Sequence, residues 1–243
     1  MKRIIFFILI IFPILLNAQQ SIYDKWDNIL SDYVNSSNRS NIIFKSIDYV
    51  QLSTDDRFDK IVTLLAQFDT EMLSDQNDKI AFWINVYNIA AVKVVIDNNI
   101  PSSIKDAGNL LKPVWKKEAI NIGGSFYSLG EIEHGILRKM NQPLIHFGIV
   151  CASLSCPDLI LKSYIPKTVI SQLKESASNF LQNETKGMRL NKTKKVVELS
   201  AIFKWFKDDF SNGVPQFVKQ YSGVDIFNYK IRYMDYNWKL NTK

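Results

Sequence analysis

Two cysteines and two histidines are the reactive side chains of scarcest type in the 243-residue chain, and their spacing sets what chemistry it can host. Cys151 and Cys156 fall in His146-Phe147-Gly148-Ile149-Val150-Cys151-Ala152-Ser153-Leu154-Ser155-Cys156-Pro157, where an apolar run opens into small residues. The run Leu144 to Val150 predicts a central strand covered on both faces, and open sheets tend to keep their chemistry at such a strand's exit. A thiol placed there becomes a nucleophile when a neighbour lowers its pKa or takes its proton.

Two histidines compete for that role. On an extended strand, five residues at about 3.3 Å each would put His146 roughly 16 Å from Cys151, and alternation would turn the pair to opposite faces. His146 therefore reads as a structural histidine. His134 lies on a preceding helix that can pack back across the sheet. Glu131, His134 and Arg138 follow one another at three- and four-residue steps on one face of that helix, where side chains touch. Such a row is either a surface ion network or an oriented acid/base unit. Glu131 also stands three residues after Ser128, the spacing of a capping box. The candidate catalytic set is thus Cys151, His134 and Glu131, with Asn88 as an oxyanion donor or as a bracket for loop backbone groups.

The thiols have another reading. Cys151 and Cys156 close a loop short enough to bring the sulfurs together, so a disulfide is the structural alternative to a free nucleophile. Four histidine and cysteine side chains, with a Cys-x4-Cys spacing that is not a standard structural one, give no expectation of a metal, and no cofactor is expected.

The elements that must position these residues are local enough to predict. Ser74 begins a long helix with Asp75 and Asp78 in its first turn and Ile80, Trp83, Ile84, Tyr87, Ala91 and Val94 along one stripe; it ends before Pro101. Asn88, beside Asn85, sits in that stripe. Ala119 to Ile122 and Ser125 to Tyr127 flank Gly123-Gly124 as a hairpin. The helix from Ser128 buries Ile132, Ile136 and Met140. Further on come a helix near 166–182, a hairpin of Met188 to Leu190 with Val196 to Leu199, a short aromatic helix at Phe203 to Phe210, and a strand at Ile231 to Met234. The fold class expected is α+β: one domain, with helices packed on a small, mostly antiparallel sheet whose central strand is 144–151.

Lys2 and Arg3 ahead of the apolar run Ile4 to Leu16, with Ala18 beyond, read as a signal peptide over residues 1–18, and no permanent membrane anchor is expected. A helical extension is expected over 19–46 and the main domain over 47–241. The formal charge of +6 is spread along the chain, two of those charges in the leader. The densest basic cluster, Lys192, Lys194 and Lys195, reads as a solvated hairpin tip, so no nucleic-acid role is expected.

Four segments resemble the domain of unknown function 547 family: Ala81-Phe82-Trp83-Ile84-Asn85-Val86-Tyr87-Asn88, Ser128 through Arg138, His146 through Pro157, and the ending Trp238-Lys239-Leu240-Asn241. The resemblance runs from about Ile47 to Asn241 and implies an exported bacterial protein of uncharacterised activity. The family pattern often has a polar residue before the first cysteine, where this chain has Val150. Two functions follow as expectations. One is a thiol-dependent hydrolase or acyltransferase built on Cys151 and His134. The other is a non-catalytic exported binding or structural module with a Cys151–Cys156 disulfide. Periplasmic and extracellular destinations both remain open, as do partners.

Overall fold

The structure, a computed structural model, describes residues 19–243 with their side chains and the backbone of the first helix from Ile5. The expected leader, residues 1–18, lies outside the fully described residues. Helix α1 (Ile5–Tyr33) gives way to the hairpin β1 (Val34–Arg39) and β2 (Ile42–Ile47), paired in unbroken register. The extension expected over 19–46 is therefore helical no further than Tyr33. The reason is local. Asn35-Ser36-Ser37-Asn38 offers side chains that compete with the helical backbone, and Ser40 and Asn41 adopt left-handed φ of 54° and 59° to turn the chain. Nor is the segment an appendage. Ile22, Trp26, Ile29 and Leu30 are buried in the same contiguous core that reaches Leu240.

After the short α2 (Tyr49–Leu52), α3 (Asp56–Ala66) starts where Asp55 accepts the Arg57 N–H. Helix α4 (Gln76–Asp97) opens with a reciprocal cap: Asp75 accepts the Asp78 N–H, and the Asp78 carboxylate accepts from the Asp75 backbone. Every residue from Ile80 to Val92 is buried, so the expected stripe is a helix apolar on all sides and forms the axis of the core. Among the described residues α4 is the one helix long and apolar enough to cross a membrane, and 83% of its apolar window is enclosed by this protein's own chain.

Strands β3 (Glu118–Ile122) and β4 (Ser125–Ser128) form the expected hairpin, turned on Gly123 and Gly124 at φ of 56° and 86°. The next helix, Glu131–Leu137, is π-helical. Its wider turn buries Ile132, Glu133 and Leu137 and leaves Ile136 and Met140 half-buried, in place of the 3.6-residue stripe.

The segment 144–151 is not a strand. Pro143–Phe147 is a 3-10 turn, begun by Gln142 accepting the Leu144 N–H and by a proline whose φ is preset for helical geometry. An apolar run of this length is compatible with a buried strand or buried turns, and periodicity does not separate them. Here Asn88 supplies what a sheet ladder would have: its amide donates to Gly148 C=O at 2.9 Å and accepts the Val150 N–H at 2.8 Å.

Helix α5 (Val169–Gln182) precedes a three-stranded sheet. In it β6 (Val196–Leu199) pairs antiparallel with β5 (Met188–Asn191) and parallel with β7 (Lys230–Tyr233). Helices α6 (Ile202–Trp205) and α7 (Val214–Ser222) lie between β6 and β7. The class is α+β as expected, with the strands in three small sheets around a helical core instead of one sheet with a central strand.

Candidate active site

Cys151 begins a tight curl that the chain's last residues hold shut. Leu154 N–H donates to Lys239 C=O at 2.9 Å, Asn237 N–H to Ser155 Oγ at 2.9 Å, and Asn241 N–H to Ala152 C=O at 3.1 Å. Ala152 sits at φ of 55°, a left-handed conformation that a residue with a Cβ adopts at a cost of about 1 kcal/mol or more. That bend returns Cys156 to Cys151. The Cys151 N–H donates to Cys156 Sγ at 3.0 Å and the Tyr236 hydroxyl donates to the same sulfur at 3.1 Å. Ser153 Oγ and Tyr236 Oη each lie 3.4 Å from Cys151 Sγ. Both cysteines are free thiols; Cys156 is buried and Cys151 half-buried.

This cluster decides which sulfur ionises. Burial opposes a thiolate at Cys156, but hydrogen bonds from Cys151, Tyr236 and Ser153 outweigh it and hold its pKa below the ordinary thiol value. Cys151 moves the other way, first because its proton is held toward Cys156, then through burial and the charge beside it. The two shifts run in the same sense, favouring charge on Cys156 and the proton on Cys151. Burial pushes the Tyr236 phenol far up, so it remains a donor.

The thiols form the floor of a cavity of about 330 Å³. Its wall is a run of aromatic rings: Trp238 packs on Trp115, Trp205 and Tyr236 with centroids 5.4, 5.7 and 4.5 Å apart, and Phe206 continues it. Phe203 and Phe210 of the aromatic helix face the core as expected, whereas Trp205 and Phe206 face the cavity.

Glu133, His146 and His134 also line it. Glu133, 5% exposed, has its pKa raised to about 7, mainly by burial and then by the Cys156 charge, while Tyr87 Oη donates to it at 3.4 Å. His146 is stacked on Phe206 at 4.2 Å, with Nε2 2.7 Å from Asp209 Oδ2; burial lowers its pKa to about 4, so it is a neutral imidazole donating to Asp209. His134 stands at the rim, where Arg138 donates to its Nδ1 at 3.4 Å; burial and then the Arg138 charge hold it below the usual histidine range. Arg138 itself grips Asp209 through two bonds of 2.7 Å.

Cys151 and His134 thus share the cavity, with no hydrogen bond between them among the described residues. Glu131 lies outside the lining: its carboxylate accepts from the Ser128 backbone at 2.8 Å and the Ser128 hydroxyl at 2.7 Å, and Ser128 Oγ accepts the Glu131 N–H at 3.2 Å. Asn88 lies beneath the thiol loop, bracketing Gly148 and Val150. His146, set aside on the geometry of a strand, lines the cavity because its segment is a turn. Sequence reasoning missed Glu133, Tyr236 and the donor role of the Cys151 backbone. Glu133 was hidden by the π-helical pitch, and the signal for Tyr236 was its place beside the Trp238-Lys239-Leu240-Asn241 ending. Among the described residues no three His, Cys, Asp or Glu side chains converge on one point as metal ligands.

Fold and site together define an α+β protein with a hydrogen-bonded dithiol under an aromatic cavity. Residues 70–181 match the family model described as protein of unknown function, DUF547, which supports the resemblance over that span. The matched span holds α4, the β3–β4 hairpin, the π-helix and the Cys151–Cys156 loop; the Tyr236–Trp238 wall of the cavity lies beyond it. No curated protein and no solved structure matches the chain.

Proposed function

We propose that the protein is an exported thiol-dependent acyl hydrolase or acyltransferase, with Cys151 as nucleophile and Cys156 as its base. One observation carries the reading: two donors, the Cys151 N–H and the Tyr236 hydroxyl, converge on Cys156 Sγ beside an open cavity. A merely structural thiol has no need of a stabilised negative charge.

The chemistry follows from the proton's position. As Cys151 Sγ bonds to the acyl carbon of an ester, thioester or amide, its proton passes to Cys156 Sγ and the carbonyl electron pair moves onto oxygen. Cys156, now neutral, pulls less on the Tyr236 hydroxyl, which turns its hydrogen bond to the oxyanion. The carbon–leaving-group bond then breaks, and the leaving group departs with the proton from Cys156. Water, or an acceptor hydroxyl or amine, attacks the thioester, giving its proton to the Glu133 carboxylate; the carbon–sulfur bond breaks and Cys151 recovers that proton. A carboxyl titrating near 7 is matched to that exchange. His134, neutral at the rim, relays protons to solvent. Glu131 caps the helix that carries Glu133 and His134, and Asn88 fixes the loop that carries Cys151; both are positioning residues.

The aromatic wall favours a second reading, a binding module whose rings hold an apolar ligand and whose cysteines pair as a disulfide. Intact-mass analysis of reduced protein after exposure to an activated acyl ester separates the two. An acyl adduct mapped to Cys151, absent in Cys151→Ser, is expected. Absence of both adduct and turnover, with an apolar dye still bound, gives the site to the binding module. Export is tested by N-terminal sequencing of the native protein: a start at Gln19 is expected, and a start at Met1 in protein outside the cytoplasm overturns the proposed cleavage.

A further inference from the structure

The most exposed large apolar side chains of the described surface are adjacent. Leu110 and Leu111 are 97% and 95% exposed at the tip of the loop between the 3-10 turns Ile104–Ala107 and Val114–Lys116. The loop is pinched at its neck. Asn109 N–H donates to Lys112 C=O at 3.1 Å, and a Cβ on Gly108 would fall 2.3 Å from the Val114 nitrogen, so only glycine fits where the two limbs meet. Asn109 Oδ1 accepts the N–H groups of Leu111 and Lys112 at 3.0 and 2.7 Å, closing the tip. The leucines are therefore held outward by a rigid turn.

Charge flanks them in the chain. Lys105, Lys112 and Lys116 are exposed on the same excursion, with Lys117 behind them donating to Ala107 C=O at 2.6 Å. The acids nearby are Asp106, which accepts the Ser103 N–H at 3.1 Å, and Glu118 at the start of β3. Both limbs of the loop also supply the cavity: Lys105 lies 4.0 Å over the Trp238 ring, and Trp115 forms part of the wall.

We infer that the Leu110–Leu111 loop docks this protein on an anionic lipid surface, the two leucines entering the headgroup boundary and Lys112 and Lys116 facing lipid phosphates. Paired apolar side chains flanked in the chain by exposed lysines are the composition of an interfacial anchor, and a half-buried tryptophan at the base suits the same boundary. A protein partner or a second copy of the chain would be served by the leucines alone; the flanking lysines are what selects an acidic bilayer. The inference stands on the loop and does not depend on the thiol chemistry.

The test is flotation of the mature protein with phosphatidylcholine vesicles, with and without phosphatidylglycerol. Binding to the anionic vesicles, weakened by salt, is expected. Leu110→Ser and Leu111→Ser should each weaken it about tenfold, and Lys112→Gln and Lys116→Gln about fivefold each. These side chains are exposed, so the variants keep the fold, checked by an unchanged denaturation midpoint. Equal binding by the double leucine variant, or no binding to either vesicle, overturns the inference. So does a shift of the leucine variants from dimer to monomer with vesicle affinity unchanged.

Discussion

The backbone N–H of Cys151 donates to the sulfur of Cys156 at 3.0 Å, five residues further along the chain, and Tyr236 completes the cradle from eighty residues away. Those two donors favour charge on the buried sulfur and the proton on the more accessible one. That inversion links the loop's backbone strain at Ala152 to the site's acid–base chemistry.

Removing one donor tests the cradle. Tyr236→Phe takes a hydrogen bond from a charged acceptor, worth about 1.5–3 kcal/mol, so the thiolate step should rise by roughly one to two pH units from its wild-type position. The ultraviolet absorbance of the thiolate, followed against pH, reads it. An unmoved step would mean that Tyr236 does not hold the charge.

Glu133 makes stability depend on pH in a defined window. Its folded pKa, about 7, is raised above an ordinary value of 4.5, so its favourable contribution is complete below about 4.5 and is lost as pH rises through about 7. The size is roughly 3 kcal/mol. His146, lowered to about 4, acts oppositely by losing stability as pH falls, so the difference between wild type and Glu133→Gln is the quantity to measure. Urea unfolding should show that difference turning in the variant's favour as pH rises from 4.5 to 7.

Asn88 carries a structural load independent of catalysis. Asn88→Ala leaves the Gly148 carbonyl and the Val150 N–H buried without partners, each costing about 1–3 kcal/mol. A loss of about 2–5 kcal/mol in unfolding free energy is expected, together with weaker protection of the Val150 amide against hydrogen exchange. A near-neutral result would show that water or another group satisfies the loop.

Gly148 is constrained by its neighbours and not by its φ of −101°, which any residue adopts. A Cβ there would lie 2.6 Å from Leu173 Cδ2 and 3.2 Å from Ile84 Cδ1, so Gly148→Ala should cost about 1–3 kcal/mol through overpacking. In a double-mutant cycle Gly148→Ala should cost less in a Leu173→Ala background than in the wild type, read from the shifts of the denaturation midpoint.

Features that depend on a few neighbouring residues were legible in the sequence. The Ser128–Glu131 cap, the Gly123-Gly124 turn, the α4 axis with its two inward amides, and the thiol loop as the place to look all rest on interactions within one or two turns of chain. The segment 144–151 was misread because an apolar run buried on every side has no period to distinguish strand from turn. Asn88, sixty residues away, decided the matter by taking over its backbone hydrogen bonds. The inward face of the π-helix was shifted by pitch, which hid Glu133.

By itself the sequence determined the α+β class, the local caps and turns and the family resemblance. Tertiary structure alone decided the chemistry of the pair. A thiol's charge is set by whichever donors lie within about 3 Å, and those came from the strained loop and from a C-terminal tyrosine that no short-range pattern connects to it.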